Sequence, residues 1–195
     1  MSVLQIIDLK KHYGAEPNIT RALDGVNFSV DEGEFVTVVG TSGSGKSTLL
    51  HMMGGLDTPT GGTGIVRGEE LAKKNDEQLT IFRRSNIGFI FQNYNLVPIL
   101  NVYENIVLPV ELDGDTVDQK FLDETVHLLG LEDKLKNMPN NLSGNLDSRT
   151  SVEMLGLIKR TSAEFGQTVV MITHNNDVAC LADRIVRIED GRIVE

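Results

Sequence analysis

One stretch of the sequence combines glycines, a lysine and hydroxyl side chains at a spacing suited to binding phosphate. Residues 40–47 fit the pattern G-x-x-x-x-G-K-[ST] at every position. Glycines let the backbone curl so that successive N–H groups point inward at phosphate oxygens. The sequence therefore predicts a phosphate-binding loop, called the phosphate loop below, made of Gly40, Thr41, Ser42, Gly43, Ser44, Gly45, Lys46 and Ser47.

The last residues of the phosphate loop predict how a nucleotide is held. Lys46 is expected to reach the β- and γ-phosphates, and the Ser47 hydroxyl is expected to ligate Mg²⁺. Thr48 can add a hydroxyl contact nearer the α-phosphate. The alternative is a glycine-rich turn that matches by chance, which would not need a strand before it and a helix after it.

The flanking residues predict that strand and that helix. Residues 35–39 form a continuous apolar and β-branched run, as expected for a strand buried on both faces of a sheet. Residues 46–53 predict a helix, with Gly54 and Gly55 as its C-cap. Because this helix would begin at the loop, its positive N-terminal end would point at the same phosphates.

The rest of the pattern predicts an α/β core with an N-terminal antiparallel layer and an inserted helical subdomain at about residues 93–143. Asp190 and Gly191 form a turn dipeptide that favours positive φ, which predicts a closing hairpin over 184–194. Strands are expected over residues 3–9, 26–30, 87–91 and 168–173, and helices over residues 102–112, 118–129 and 150–165.

The composition limits the classes of function. The 195 residues carry a net charge of −10, and this negative potential argues against a nucleic acid as partner. Cys180 is the single cysteine, which excludes an internal disulfide and is compatible with a reducing cytoplasm. We find no signal peptide pattern and no apolar run of membrane-spanning length, so another chain is expected to cross any membrane at which this protein works.

Four further landmarks separate this chain from other proteins with such a loop. Tyr13 ends the first strand, Gln92 closes the strand predicted over 87–91, and His174 follows the apolar strand predicted over 168–173. The fourth landmark is the sequence Asn-Leu-Ser-Gly at 141–144. Together these features resemble the ATP-binding subunits of ABC transporters, and the resemblance covers essentially the whole chain as a single nucleotide-binding domain over residues 1–195.

Three shorter phrases resemble one branch of that family. Residues 91–98, 104–106 and 145–148 look most like the lipoprotein-releasing and macrolide-export branch, which pairs its ATPase with a permease of the FtsX type. The resemblance implies that the chain is cytoplasmic and peripheral on the inner face of the cell membrane through that permease. It also implies a homodimer of nucleotide-binding domains that sandwiches ATP.

The resemblance also implies roles for the landmark side chains. Tyr13 would stack its ring on adenine, which is a sequence-tolerant π contact. Gln92 would contact Mg²⁺ and the attacking water, and it would report the nucleotide state to the helical subdomain. His174 would contact the γ-phosphate and help to hold the water.

The chain departs from the family between the signature motif and the D-loop. ABC ATPases place a helix there, followed by an apolar strand that ends in Asp-Glu, the Walker-B aspartate for Mg²⁺ and the glutamate for the water. Here Ser143 and Gly144 of the signature run directly into the D-loop residue Asp147 through residues 145–146. We therefore expect an internal deletion that removes the rest of the signature, Walker B and one core strand. Hydrolysis by this chain is expected to be negligible.

Three functions remain open from the sequence. The first is the ATPase subunit of a membrane exporter that carries a deletion, and the second is a hydrolysis-deficient nucleotide-binding relic or regulatory module. The third is a soluble ABC ATPase of translation or DNA repair, but the chain has none of the tandem cassettes, long coiled coils or basic nucleic-acid face of that class.

Overall fold

The chain folds into two units. A computed structural model describes residues 1–90, 96–142 and 148–194. Unit 1 comprises Met1–Ile87 with Thr150–Glu195, and unit 2 comprises Gly88–Arg149. All strands of the described residues lie in unit 1.

The bounds of the regular elements follow in chain order. The strands are β1 (Ser2–Tyr13), β2 (Thr20–Asp31), β3 (Phe35–Val39), β4 (Gly61–Val66), β5 (Glu69–Glu70), β6 (Val169–Thr173), β7 (Arg184–Glu189) and β8 (Arg192–Ile193). The helices are α1 (Lys46–Met53), α2 (Asp76–Asn86), α3 (Val102–Leu112), α4 (Gln119–Leu129), α5 (Ser148–Glu164) and α6 (Asn176–Ala179). Short 3₁₀ turns lie at Leu71–Lys73, Glu132–Lys134 and Pro139–Leu142.

The N-terminal layer is an antiparallel sheet of order β2-β1-β4-β5. Along β2, the buried side chains of Val26, Phe28 and Val30 alternate with exposed neighbours, so one face of the strand packs on the core. The predicted antiparallel layer is confirmed, although its strands extend several residues beyond the predicted bounds and their pairing contains several register irregularities.

The second sheet has the order β6-β3-β7-β8, and β3 pairs in parallel with both β6 and β7. All residues of β3 are buried, which confirms the prediction of a strand covered on both faces. Every residue of β6 is only half-buried, and within the described residues β6 is the edge of this sheet. The expected loss of a core strand stays a prediction.

The strand predicted over residues 87–91 is wrong over the part that is described. Residues 87–90 form no strand; instead, the Ile87 amide donates to the Arg83 carbonyl oxygen at 2.8 Å and closes α2. The capping box between Asn75 and Gln78 starts that helix. The apolar run that suggested a strand therefore begins as a helix C-cap.

Unit 2 contains the two helices that periodicity predicted, α3 and α4. Asn101 and Glu104 form a capping box at the start of α3, and Gly130 ends α4 in the left-handed conformation. Val107 of α3 packs with Val126 of α4 in a small core of its own. Unit 2 includes the whole range expected for the helical subdomain.

The phosphate loop lies against backbone from two distant parts of the chain. A Cβ on Gly45 would lie 2.3 Å from the Ala22 carbonyl oxygen of β2, and one on Gly40 would lie 2.2 Å from the Ile188 carbonyl oxygen of β7. Both glycines have positive φ, at 103° and 159° respectively. Only glycine therefore fits these two positions without moving the neighbouring strands.

An ion pair joins the starts of β3 and β7. Arg184 donates from Nε to Glu34 Oε1 at 2.6 Å and from Nη2 to Glu34 Oε2 at 3.0 Å. The hydrogen bond from Arg184 lowers the pKa of the Glu34 carboxyl from its ordinary value of 4.5. The Asp31 amide also donates to Glu34 Oε2, so this carboxylate fixes the turn between β2 and β3 as well.

We predict that Gly45→Ala destabilises the protein by more than Gly43→Ala. The added methyl group of Gly45→Ala must displace β2, at a cost of about 2 kcal/mol or more, whereas Gly43 faces open space and pays about 1 kcal/mol for its positive φ of 79°. Urea unfolding of both variants measures the difference. Equal destabilisation would contradict the close approach of β2.

We predict that Glu34→Gln lowers the free energy of unfolding by about 1 kcal/mol at pH 7, a value that allows for solvent screening of this half-exposed pair. Because folding lowers the pKa of Glu34, its contribution is complete above pH 4.5 and disappears as the pH falls through the folded pKa. In thermal unfolding, the difference in stability between Glu34→Gln and the wild type should therefore shrink as the pH falls from 7 to 3. Glu189→Gln, in an exposed pair with Arg187, is the control and should have little effect on stability at any pH. If the stability difference between Glu34→Gln and the wild type stayed the same at every pH, the role assigned to Glu34 would be contradicted.

Candidate nucleotide-binding site

The phosphate loop connects β3 to α1, so it lies at the carboxyl edge of the parallel sheet. The first hydrogen bond of the helix runs from the Leu49 amide to the Gly45 carbonyl oxygen at 2.8 Å. The amides of residues 46–48 precede that bond and have no partner within the helix. They can therefore bind an anion, and the helix dipole adds to the attraction.

Lys46 lies over the loop from which it emerges. Its Nζ donates to the carbonyl oxygens of Gly40 at 2.9 Å and Thr41 at 2.6 Å, and it lies 3.4 Å from Ser44 Oγ. In the part of the chain that the structure describes, no carboxylate forms an ion pair with Lys46. The Lys46 ammonium is thus held at the loop by neutral oxygens, and it can exchange them for the oxygens of a phosphate.

A cavity of about 300 Å³ opens beside the loop. Its walls combine the residues predicted from the motif with backbone from β2 and from the turn between β7 and β8. We call β7, this turn and β8 the closing hairpin. The lining residues are Thr20, Arg21, Ala22, Gly43, Gly45, Lys46, Ser47, Thr48, Asp190 and Gly191.

Half of that lining was not identified as site residues from the sequence. Residues 20–22 carry no motif, and their place in the wall follows only from the packing of β2 on the loop. Asp190 and Gly191 were identified as a turn, and their φ angles of 46° and 73° confirm it. Nothing in the turn itself showed that it would lie against the phosphate loop.

Tyr13 ends β1 beside the mouth of this cavity. It pairs in register with Thr20, which lines the cavity. The Tyr13 hydroxyl donates to Asp57 Oδ2 at 3.0 Å, and Lys11 Nζ lies 5.0 Å from the centre of the ring. Because 43% of the Tyr13 surface is exposed, a base can contact the ring while Asp57 holds its far end.

Asp57 anchors this tyrosine as a charged group. Burial raises the pKa of Asp57, but hydrogen bonds from Lys11, the Thr58 amide and Tyr13 together lower it by more. The pKa of Asp57 therefore lies below its ordinary value. The carboxylate is therefore ionised at neutral pH. It fixes the Lys11 ammonium, at 2.7 Å, and the Tyr13 hydroxyl together.

His174 follows β6 and is exposed. Thr173 of β6 pairs with Val39 of β3, so His174 and Gly40 leave neighbouring parallel strands at the same edge of the sheet. The remaining predicted residues lie outside the described residues, namely Gln92, Ser143, Gly144 and Asp147.

Metal ions in proteins require several ligand groups close together. The described residues contain no group of three or more histidine, cysteine, aspartate or glutamate side chains that could hold a metal ion. The exposed Ser47 hydroxyl lines the cavity and can supply one oxygen ligand. The described part of the chain also contains no helix long and apolar enough to cross a membrane.

Known proteins resemble this chain along most of its length. A family model described as ABC transporter matches residues 23–161. An uncharacterized ABC transporter ATP-binding protein of Thermotoga maritima is 39% identical, with 98% of this chain and 93% of the relative covered. The lipoprotein-releasing system ATP-binding protein LolD of Geobacter metallireducens is 35% identical, with 99% of this chain and 98% of the relative covered.

A longer relative and a solved structure agree with these matches. The macrolide export ATP-binding/permease protein MacB of Mannheimia succiniciproducens is 32% identical over 100% of this chain, which spans only 34% of that protein. The ATP-binding cassette MJ0796, solved as a dimer bound to ADP and Pi, superposes with a TM-score of 0.87 at 32% identity and covers 98% of this chain and 97% of its own. The chain belongs to the ABC transporter family, as an ATP-binding subunit homologous to MacB and LolD.

Proposed function

We propose that this subunit binds ATP at the phosphate loop and couples that binding to a membrane permease of the FtsX type, in export or lipoprotein release. The observation that carries the proposal is the arrangement of Lys46 and the amides of residues 46–48 around one cavity. This arrangement places a cation and several N–H donors where a triphosphate would lie. The names of the MacB and LolD relatives support the choice of partner.

We assign the residues as follows. Lys46 would bind the β- and γ-phosphates, Ser47 would bind Mg²⁺ and Thr48 would contact the α-phosphate. Tyr13 would stack on the adenine. Gln92 would contact Mg²⁺ and the attacking water, and His174 would contact the γ-phosphate and help to hold that water. When bound, Mg²⁺ would neutralise phosphate charge.

The assembly that we propose is a homodimer at the inner face of the cell membrane. The dimeric state of MJ0796 supports a pair of cassettes. In the proposed pair, Ser143, Gly144 and Asp147 of each copy would face the phosphate loop of the other copy. The chain itself would be cytoplasmic and held at the membrane by the permease. Within it, unit 2 would be the inserted helical subdomain of a single nucleotide-binding domain.

Binding and hydrolysis have different requirements in this chain. The phosphate loop has every residue of its motif, whereas the few residues between Ser143 and Asp147 leave no room for the apolar strand ending in Asp-Glu that the family uses for hydrolysis. The alignment to the Thermotoga maritima relative spans 219 positions and exceeds the 195 residues of this chain, which supports an internal deletion. Loss of preorganised carboxylates costs several kcal/mol of transition-state stabilisation.

We predict that the chain binds ATP but releases no more phosphate than its Lys46→Ala variant. The affinity for a fluorescent ATP analogue should fall at least tenfold in Lys46→Ala, because one charge-assisted contact contributes about 1.5–3 kcal/mol. Lys120→Ala, at an exposed lysine of unit 2, is the matched control and should bind as the wild type does. Phosphate release clearly above the Lys46→Ala level would contradict the loss of hydrolysis, and equal binding by both lysine variants would contradict the site.

We predict that Tyr13→Ala weakens ATP binding by about 5- to 150-fold, which corresponds to about 1–3 kcal/mol of stacking. Tyr13→Phe keeps the ring and loses only the bond to Asp57, so its affinity should stay within about threefold of the wild type. Binding of inorganic tripolyphosphate, measured by calorimetry, should be the same in all three proteins. If Tyr13→Phe bound ATP as weakly as Tyr13→Ala, the hydrogen bond to Asp57, and not the face of the ring, would be responsible for the affinity.

A further inference from the structure

The closing hairpin is hydrogen-bonded to the phosphate loop through one residue. The Gly191 amide donates to the Ser44 carbonyl oxygen at 3.0 Å. On its other side, the Gly191 carbonyl oxygen accepts from the Asp24 amide of β2 at 2.9 Å. Gly191 therefore connects the loop to β2 by two backbone hydrogen bonds.

These bonds require close packing of the turn on β2. Gly191 is buried and has a φ of 73°, and a Cβ at this position would lie 2.8 Å from the Ala22 carbonyl oxygen. The same Ala22 oxygen lies 2.3 Å from the Cβ position of Gly45. The turn and the loop thus share one contact surface on β2, and a shift of the turn would reach the loop.

An ion pair holds the turn in that place. Arg192, directly after Gly191, donates from Nη2 to Asp24 Oδ2 at 2.8 Å. The Asp24 carboxylate also faces His12 Nε2 at 3.5 Å and Arg21 Nη1 at 4.0 Å. The hydrogen bond from Arg192 is the main reason that the pKa of Asp24 lies below its ordinary value, so the carboxylate is ionised at neutral pH.

Ser44, the loop residue that is bonded to Gly191, lies next to Lys46. The Ser44 side chain is 3% exposed, and its Oγ lies 3.4 Å from Lys46 Nζ. The Ser44 amide donates to the Thr41 carbonyl oxygen, which also accepts from Lys46. Fixing Ser44 therefore fixes the curl of the loop and the position of its cation.

We propose that Arg192 and Asp24 form a positioning clamp, which holds the turn against Ser44 and preorganises the phosphate loop for nucleotide. The clamp touches neither the phosphates nor the base, and it acts by reducing the freedom that the loop loses on binding. This inference rests on the proposed function for its effect on nucleotide affinity. Its effect on the free loop is independent of any ligand.

The test compares Arg192→Ala with Arg192→Lys and Arg187→Ala. Lysine can replace the single hydrogen bond to Asp24, so Arg192→Lys should restore most of the clamp. Arg187 lies on the same hairpin and pairs only with the exposed Glu189 within the described residues, so Arg187→Ala is the matched control. Three quantities are measured: the Kd for a fluorescent ATP analogue, amide hydrogen exchange of the free protein, and Tm.

For Arg192→Ala we expect a Kd raised about fivefold, the size that one half-exposed ion pair can supply. Amides of residues 40–48 and of Gly191 should exchange faster, while α3 and α4 exchange as before and Tm shifts by no more than about 3 °C. Arg192→Lys should stay within about twofold of the wild-type Kd, and Arg187→Ala should match the wild type throughout.

Two results would overturn the clamp. One is an Arg192→Ala protein with the Kd and loop exchange of Arg187→Ala, and the other is a lowered Tm with unchanged Kd and loop exchange, which would assign the pair to general stability. A wild-type protein that binds no nucleotide would refute the proposed function, and the loop exchange would still decide whether the clamp exists.

Discussion

The structure of this site depends on backbone packing against backbone at the phosphate loop. Gly40 and Gly45 let carbonyl oxygens of β7 and β2 approach to distances that no side chain would permit. The loop is consequently held from both sides by strands rather than by its own hydrogen bonds alone. A loop held in this way presents its amides without having to be ordered by the ligand, which is the condition for tight binding of an anion.

This local arrangement explains how a strongly acidic chain can have a phosphate site. The net charge of −10 acts over the whole surface and is screened within about 8–10 Å at physiological salt. Lys46 and the first amides of α1 act at hydrogen-bond distance, where the potential of a few donors exceeds the distant field. The acidic surface therefore opposes a long polyanion while leaving a single bound triphosphate possible.

Local patterns predicted the elements that bear the motif. The strand β3 and the helix α1 have the predicted bounds. Both are determined by residues that are close in sequence, namely the apolar run of the strand and the loop residues at which the helix begins. The strand expected from residue 87 is absent over 87–90 because Ile87 completes a helix. The wall formed by residues 20–22 and by the closing hairpin was missed, because contacts between residues distant along the chain leave no local pattern.

The same long-range pairing determines the order in which the site can form. The strand β3 has its parallel partners in β6 and β7, and the phosphate loop has its outer contact in Gly191. While a ribosome is still adding residues 169–193, the motif near residue 40 is already outside but has neither its sheet neighbours nor its support. The phosphate loop therefore gains its sheet neighbours and its outer support only after the last residues of unit 1 have been made.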